Sequence, residues 1–259
     1  MVKGLYTAYT GMINEQNRMD IMTNNLANAS TVGYKKEGST SQSFDDVLTV
    51  KIKDQSVGMR NVQRLGVKNP GVKIGENYTD YSHGSFRITG NTYDLALSGE
   101  GFFAIEFTNK AGETDTKYTR AGQFTLNKDG YLVTEEGDYV LDTQNRRIRL
   151  NTLIDSSITD DGTIYQNDRA VAKIQVTDFE DYDYLEKYGE TYYQPIQGAK
   201  TIAAKAQVKS GYLEMANVQV VSEMVNLISI TRAYESNQKV VQTIDDTLDV
   251  AVNQIGRVQ

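Results

Sequence analysis

The stretch LYTAYTGMINEQNRMDIMTNNLANASTVGYKK, Leu5 to Lys36, decides how the chain begins. Its apolar residues recur about every 3.5 positions and form one stripe, which predicts a helix over 3–30. The stripe consists of Leu5, Tyr9, Met12, Met19 and Leu26. Its last turns carry the amides of Asn24, Asn25 and Asn28, which are costly to bury without hydrogen-bond partners.

A second apolar stripe, over 216–258, predicts a longer helix at the other end of the chain. Its apolar face is wide, because Val220, Val225, Leu227 and Ile230 lie beside the main stripe. Since exposed apolar surface forfeits about 25 cal/mol per Å² of burial, we expect neighbouring copies to cover it. The expected packing residues are Met224, Leu227, Ile228, Tyr234, Val241 and Leu248.

Between these segments glycine becomes frequent, and polar residues alternate with β-branched or aromatic ones. FTLNKDGYLVTEEGDYVLD predicts strands over 124–126, 131–134 and 139–141, joined by glycine turns. YDLALSGEGFFAIEF predicts a pair of short strands, and AVAKIQVTDF predicts one more. Residues 38–80 are expected to form an extended arm with one hairpin.

The predicted fold class is therefore α+β, with long N- and C-terminal helices and an inserted, mainly antiparallel β domain. The helices, residues 1–35 and 212–259, are expected to form a coiled-coil inner domain. Residues 36–85 form the arm or hairpin, and 86–211 the β-rich outer domain.

Composition excludes several classes of function. The chain has 259 residues, with 27 Lys and Arg against 34 Asp and Glu, so its net charge of −7 disfavours nucleic-acid binding. It has no cysteine and one histidine, His83, which excludes disulfides, thiolate metal sites and multi-histidine metal sites. The sequence contains no run of 18 apolar residues, so it predicts no transmembrane span. Its first residues lack the apolar core of a cleaved signal peptide.

Three motifs resemble chemical sites and are better explained as structure. Gly99-Glu100-Gly101 with Ala104 matches a dinucleotide pattern, but a strand-like segment follows where a helix is needed. The segment 125–136 approximates a calcium loop and is predicted as a β-turn, while the acidic run over 178–190 is predicted as a solvated loop. We therefore predict no enzyme activity, no cofactor, no metal and no small-molecule substrate.

Three blocks of the sequence together resemble the rod and hook family of the bacterial flagellum. NNLANASTVGYKK is similar to the N-terminal signature of that family, on which Asn24, Asn25, Asn28, Thr31, Gly33, Tyr34 and Lys35 fall. YDLALSGEGFFAIE and YTRAGQFTLNKDGYLVTEEGDYVL resemble its middle blocks. VKSGYLEMANVQVVSEMVNLISITRAYESNQ resembles its C-terminal signature, with Glu214, Asn217, Glu223, Arg232, Glu235 and Asn237 on the pattern.

The resemblance implies a structural subunit of the basal-body rod, the hollow shaft that transmits torque from motor to hook. It is closest to the distal rod type, with the proximal rod type as the alternative. It implies self-assembly, contacts with other rod subunits, hook protein and ring proteins, and export by the flagellar type III apparatus without a cleaved signal. The implied location is the basal body, in the cell envelope outside the cytoplasmic membrane.

Two sets of residues are predicted to act in this assembly. The apolar stripe residues named above, from Leu5 in the first predicted helix to Leu248 in the second, are predicted to pack between subunits. Gly33 provides a positive φ where the chain leaves the helix, and the amides before it are expected to pair between subunits rather than within one. Arg232 and Glu235 are candidates for ion pairs between subunits.

A function of another class remains open at this point, namely a secreted β-domain binding module with oligomerising helices. Its binding surface would be a platform formed by Tyr182, Tyr184, Tyr188, Tyr192 and Tyr193.

Overall fold

The computed structural model describes residues 2–52, 62–109 and 112–255. Two long helices frame the β structure along the sequence: α1, Val2–Ala27, and α2, Val220–Val250. They contact each other, as the residues described below show. The predicted order of helix, β region and helix is confirmed.

The helix ends differ from the prediction by a few residues. α1 stops at Ala27, where Asn28 begins a turn. α2 begins at Val220, four residues later than predicted, because Gln219 has an extended backbone with φ −93° and ψ 95°. A π-helix, Ala251–Ile255, continues α2, and the predicted end at 258 lies outside the described residues.

The arm consists of two antiparallel strand pairs, one nested within the other in sequence. The inner pair, β2 with β3, is a hairpin, and the outer pair, β1 with β4, brings the ends of the arm together. The prediction of one hairpin is thus correct for β2 and β3 and missed the second pair. The strands are β1 Glu37–Ser43, β2 Val47–Ile52, β3 Val62–Lys68 and β4 Val72–Thr79.

The described residues form sixteen further strands in the β region, and all of the pairings between them are antiparallel. They are β5 Phe86–Ile88, β6 Leu95–Ser98, β7 Phe102–Thr108, β8 Thr114–Thr119, β9 Phe124–Leu126, β10 Leu132–Thr134, β11 Tyr139–Val140, β12 Ser156–Ile158, β13 Thr163–Gln166, β14 Arg169–Lys173, β15 Val176–Phe179, β16 Leu185–Tyr188, β17 Tyr192–Pro195, β18 Thr201–Ala203, β19 Gln207–Ser210 and β20 Tyr212–Glu214. A 3-10 helix, Tyr182–Tyr184, precedes β16.

The main sheet has nine strands and runs β16-β17-β8-β7-β11-β10-β9, while β15 pairs with β7 and β18. The predicted hairpin series β9-β10-β11 is confirmed, and Gly130 and Gly137 adopt positive φ in its two turns. Two strand predictions need correction. β6 and β7 are strands but lie in different sheets, and β6 pairs with β19. The strand predicted over 170–179 is divided into β14 and β15 at Ile174 and Gln175.

The core has two clusters that share strand β7. Phe103 packs with Leu95, Leu97 and Phe124 in one cluster, and Phe102 packs with Tyr118 and Phe179 in the other. Successive side chains of a strand point to opposite faces of the sheet, so one strand serves both clusters. This explains why FFAI reads as an unbroken apolar run.

The chain divides into two compact units, each described separately below. The helix–arm unit contains Met1–Leu26, Glu37–Asp80 and Gln219–Gln259, and the β unit contains Ala27–Lys36 and Tyr81–Val218. The three functional domains predicted from the sequence stay a prediction, since compactness alone does not define functional domains.

Two features are absent from the described residues. Neither long helix is sufficiently apolar along its length to cross a membrane. Over the same residues, His, Asp and Glu side chains do not gather in groups of three or more that could hold a metal ion.

Candidate assembly site and its buried ion cluster

In the helix–arm unit, α1 and α2 meet through small residues of α1. A Cβ atom added to Gly4 would lie 3.6 Å from Ile244 Cδ1, and one added to Gly11 would lie 3.1 Å from Asn237 Nδ2. Because the higher-numbered residue on one helix meets the lower-numbered one on the other, the helices are antiparallel. Ala8, between the two glycines, is buried.

One residue of the predicted apolar stripe of α1, Tyr9, points away from this contact. Tyr9 is 51% exposed, because it lies about 140° around the helix from Gly4. The other four stripe residues, Leu5, Met12, Met19 and Leu26, are half-buried. Their proposed packing between subunits stays a prediction, and the structure leaves part of their surface available for it.

The predicted residues of α2 fall into two groups. Met224 and Ile228 are about half exposed, at 50% and 52%. The other four, Leu227, Tyr234, Val241 and Leu248, are half-buried. Glu223 and Ile230 are the residues of α2 that are fully buried within the described part of that helix.

The arm lies along α1 through polar contacts. Thr7 Oγ1 donates a hydrogen bond to the Pro70 carbonyl oxygen at 3.3 Å, and Asn14 Nδ2 donates one to Ser41 Oγ at 3.0 Å. Between them Gly71, with φ +142°, faces Thr10 so closely that a Cβ atom would collide with the threonine hydroxyl. The arm is thus fitted against small and polar residues of the first helix.

Asn25 joins the end of α1 to the start of the arm. Its Nδ2 donates to the Glu37 carbonyl oxygen at 2.7 Å, and its Oδ1 accepts from the Glu37 amide at 2.9 Å. The side chain is fully buried. The expectation that these amides pair between subunits is therefore wrong for Asn25, because a side-chain amide satisfies both groups of one peptide residue in its own chain.

The side chains of the other two asparagines, Asn24 and Asn28, differ in burial. Asn24 is exposed, whereas Asn28 is buried and its Oδ1 accepts a hydrogen bond from Thr31 Oγ1 at 3.1 Å. Thr31 also donates its backbone amide to the Asn28 carbonyl oxygen at 3.1 Å, closing a turn after the helix. The helix therefore ends in an Asn–Thr turn.

Gly33 has the predicted positive φ, at +70°. It lies six residues after Ala27, so it does not cap the helix as predicted. Its amide donates to the Glu214 carbonyl oxygen at 2.8 Å, and a Cβ atom would collide with the Ala121 backbone. Glycine is needed here for a close approach of three chain segments.

A buried ion cluster follows directly in the β unit. Lys35 Nζ lies 2.7 Å from Glu214 Oε1, and Arg120 NH1 lies 3.4 Å from Glu214 Oε2. Lys35 Nζ also donates to the Ser82 carbonyl oxygen at 2.8 Å, and Gly84 donates its amide to Glu214 Oε1 at 3.2 Å. All three charged residues are at most 2% exposed.

The charge of Glu214 is set by these neighbours. Burial would raise the pKa of its carboxyl group, but the charges of Lys35 and Arg120 and the hydrogen bonds from Lys35 and Gly84 lower it overall. Glu214 is therefore the anion between two buried cations. His83, the single histidine, lies at the partly exposed rim, with Nδ1 3.3 Å from Glu214 Oε1.

This cluster joins the three motif blocks of the sequence. Lys35 belongs to the N-terminal signature, Arg120 to the YTR segment and Glu214 to the C-terminal signature. Asn217 adds a link, since its Oδ1 accepts from the Lys36 amide at 2.7 Å. The sequence patterns did not predict the cluster, although the presence of charged residues in all three blocks was a signal that could have suggested it.

The remaining residues predicted from the sequence are not members of the ion cluster. Tyr34 is fully buried, with Lys187 Nζ 4.2 Å from its ring centroid. Arg232 and Glu235 are exposed on α2, and their pairing between subunits stays a prediction. Asn237 contacts Gly11 as described.

The two pattern matches are structural. Gly99 and Gly101 adopt φ of +122° and +136° between β6 and β7, and no helix follows them. Asn127 Oδ1 accepts hydrogen bonds from the amides of Asp129 and Tyr131 at 3.0 and 2.8 Å, which closes a β-turn. Both predictions of a structural role are confirmed.

The acidic run is only partly a loop. Asp178 is buried in β15 and accepts hydrogen bonds from the Phe179 amide and the Tyr182 hydroxyl, both at 2.8 Å. Burial and this bond raise the pKa of Tyr182. The prediction of a solvated loop was wrong for these residues, because the interleaved aromatic side chains pack into the core.

The predicted tyrosine platform does not form. Tyr192 and Tyr193 are buried in β17, and the Tyr182 ring stacks on Tyr81 with centroids 4.8 Å apart. Only Tyr184 and Tyr188 are as much as 43% exposed among the five. The described residues therefore give no support to the tyrosine platform that a binding module would need.

Comparison with known proteins places these features in one family. Three family models match: "Flagella basal body rod protein" at 5–35, "Flagellar hook protein FlgE/F/G D1 domain" at 96–166, and "Flagellar basal body rod FlgEFG protein C-terminal" at 209–255. Flagellar basal-body rod protein FlgG of Bacillus subtilis is 34% identical, over 98% of this chain and 99% of its own.

Two further relatives align end to end. The flagellar hook-basal body complex protein FlhO of Bacillus subtilis is 30% identical, and rod protein FlgF of Caulobacter vibrioides is 31% identical, each over 100% of both chains. The chain belongs to the flagellar basal-body rod family. It is a structural subunit of the basal-body rod, of the FlgG and FlgF kind, and not an enzyme.

Proposed function

We propose that this subunit lies in the distal part of the rod and polymerises into the hollow shaft that transmits torque from motor to hook. The observation that carries the distal position is the similarity to FlgG of Bacillus subtilis, at 34% identity over nearly the whole of both chains. The rod proteins FlgF of Mesorhizobium japonicum and Caulobacter vibrioides are 29% and 31% identical to this chain.

The structure supports polymerisation through the outward faces of the long helices. α1 exposes Tyr9, and α2 exposes Met224 and Ile228, although all three are large apolar residues. Such surface is unfavourable in water and is typical of a surface that binds a partner. We propose that the half-buried stripe residues, among them Leu227 and Val241, complete the packing when copies assemble.

The partners follow from membership of the rod family. We propose contacts with copies of the same chain, with other rod subunits, with hook protein and with ring proteins around the rod. We also propose export by the flagellar type III apparatus without a cleaved signal, which membership of the rod family supports.

Deletion of the gene, followed by electron microscopy of isolated basal bodies, tests the position. We expect basal bodies that keep the proximal rod and lack the distal rod and hook, with rescue by the wild-type gene. Loss of the whole rod would contradict the distal position and support the proximal one. Complete rods and normal swimming in the deletion strain would refute the rod function itself.

A further inference from the structure

Two uncharged apolar surfaces lie on the long helices. The outer α1 patch consists of Tyr6, Tyr9 and Ile13, which are 61%, 51% and 41% exposed. The outer α2 patch consists of Val221, Met224, Val225 and Ile228, of which Val221 is the most exposed at 77%.

The two patches face opposite sides of the helix pair. Gly4 and Gly11 mark the side of α1 that faces α2, and Ile13 lies about 200° around α1 from Gly11. Asn237 marks the corresponding side of α2, and Ile228, nine residues earlier, lies about 180° around that helix. Each patch therefore points away from the partner helix of its own chain.

The patches also lie at different levels along the pair. The contact of Gly11 with Asn237 places Tyr9 level with about residue 239 of α2. The centre of the outer α2 patch is about 14 residues nearer the start of α2, which corresponds to about 21 Å at 1.5 Å per residue. A contact between the two patches would thus displace one copy along the other.

The two patches lie in segments that carry almost no charge, so each patch is better suited to bind the other than to bind a charged partner. The segment of α1 from Gly4 to Asn14 contains no charged residue. In α2, Glu223 is the one charged residue between Val220 and Thr231, and it is buried. Charged residues, Arg232 first among them, begin beyond the patch.

The size of the patches also favours a second copy within a polymer. Seven partly exposed side chains offer several hundred Å², well below the roughly 1,200 Å² of a stable isolated complex. A copy that uses both patches makes this contact twice, so the area that is too small for a dimer accumulates in a polymer.

We propose that the outer α1 patch of one copy binds the outer α2 patch of the next, with an axial offset of about 21 Å. This inference rests on the proposed function, since a shaft with different ends requires copies of one polarity. The contact is heterologous, because two different surfaces meet, and the offset prevents closure into a flat ring. It therefore builds an ascending helical array.

Disulfide cross-linking tests this pairing, and the cysteine-free chain offers a clean background. Tyr9→Cys and Val225→Cys are prepared as separate full-length proteins, concentrated singly and mixed, and oxidised. We expect a disulfide-linked dimer in the mixture, none from either variant alone, and a ladder of longer species from the double variant. Dimers from a single variant would overturn the proposal, because they would show like-to-like contacts.

Ser236→Cys is the matched control for Val225→Cys, since it is exposed on the same helix about 16 Å farther along. The control should not cross-link with Tyr9→Cys. Equal cross-linking of both pairs, or of neither, would overturn the proposal. Basal bodies of normal appearance with that result would leave the rod function standing and the patch pairing refuted.

Discussion

Glu214 holds together residues that are far apart in the sequence. It is the anion between Lys35 and Arg120, and all three are buried. Removal of one member of a buried ion cluster leaves uncompensated charge and costs about 3–5 kcal/mol. Glu214→Gln should therefore lower the free energy of unfolding of the β unit by that amount, measured by chemical denaturation.

Glu106→Gln is the control for this substitution. Glu106 binds Arg147 at 2.6 Å, but the Arg147 side chain is 43% exposed. Exposed pairs contribute about 0–1 kcal/mol, so the control should change stability by no more than that. Equal effects of the two substitutions would show that the buried cluster does not stabilise the fold.

The same cluster predicts how stability depends on pH. The folded-state pKa of Glu214 is lowered, so its contribution is complete above the unfolded pKa of about 4.3 and is lost as the pH falls through the lower folded value. Lys35→Met removes the main cause of the lowering. We expect acid unfolding of that variant to begin at higher pH, measured by circular dichroism, and an unchanged midpoint would contradict this.

Substitutions of Gly33 and Gly90 allow the stability cost of backbone strain to be separated from the cost of steric crowding. Their φ values are +70° and +73°, but a Cβ atom on Gly33 would collide with Ala121, whereas a Cβ atom on Gly90 would have none of the described residues within 4 Å beyond its chain neighbours. Gly90→Ala should cost about 1–2 kcal/mol for the left-handed backbone alone. Gly33→Ala should cost distinctly more in thermal melts of the β unit, and equal costs would refute a role for close approach.

At the scale of elements, the arm and α1 are fitted together by a glycine. Gly71→Ala would place a methyl group against Thr10 Oγ1, so we expect it to destabilise the helix–arm unit. Gly66→Ala is the matched control, because Gly66 has φ +122° and a Cβ atom there would have no neighbour within 4 Å in the described part of the chain, so this substitution tests the backbone strain alone. Proteolytic protection of the arm measures both.

A second substitution checks the cause. Thr10→Ala removes the hydroxyl group, so it should reduce the excess cost of Gly71→Ala in the double variant. If the two effects simply add, the close contact between the arm and the helix is not what excludes alanine at position 71.

At the scale of the whole molecule, assembly and folding should be separable. Leu227, half-buried on α2, belongs to the helix–arm unit, and the β unit has its own two core clusters. Leu227→Asp should abolish swimming and rod assembly because it places a charge on the packing surface. The melting temperature of the β unit should remain unchanged in calorimetry.

Asn226→Asp, at the exposed neighbouring position, introduces the same charge and should preserve swimming. Normal swimming with Leu227→Asp would refute the packing role of Leu227. Loss of swimming with both variants would show that added charge alone, and not its position, disturbs the rod.

The order of helix, β region and helix, the hairpin series around Gly130 and Gly137, and the family could all be predicted from the sequence alone. These features depend on local periodicity and turn chemistry, which neighbouring residues encode. Periodicity also located the apolar stripes, but it could not show that Gly4 and Gly11 contact α2 while Tyr9 remains exposed.

The contacts between distant segments could not be predicted from the sequence and are seen in the folded chain. The pairing of Asn25 with Glu37 and the cluster of Lys35, Arg120 and Glu214 join residues that no local pattern relates. The physical reason is that a buried charge or amide is stable only beside a partner, and the partner is chosen by the path of the folded chain rather than by its spacing in the sequence.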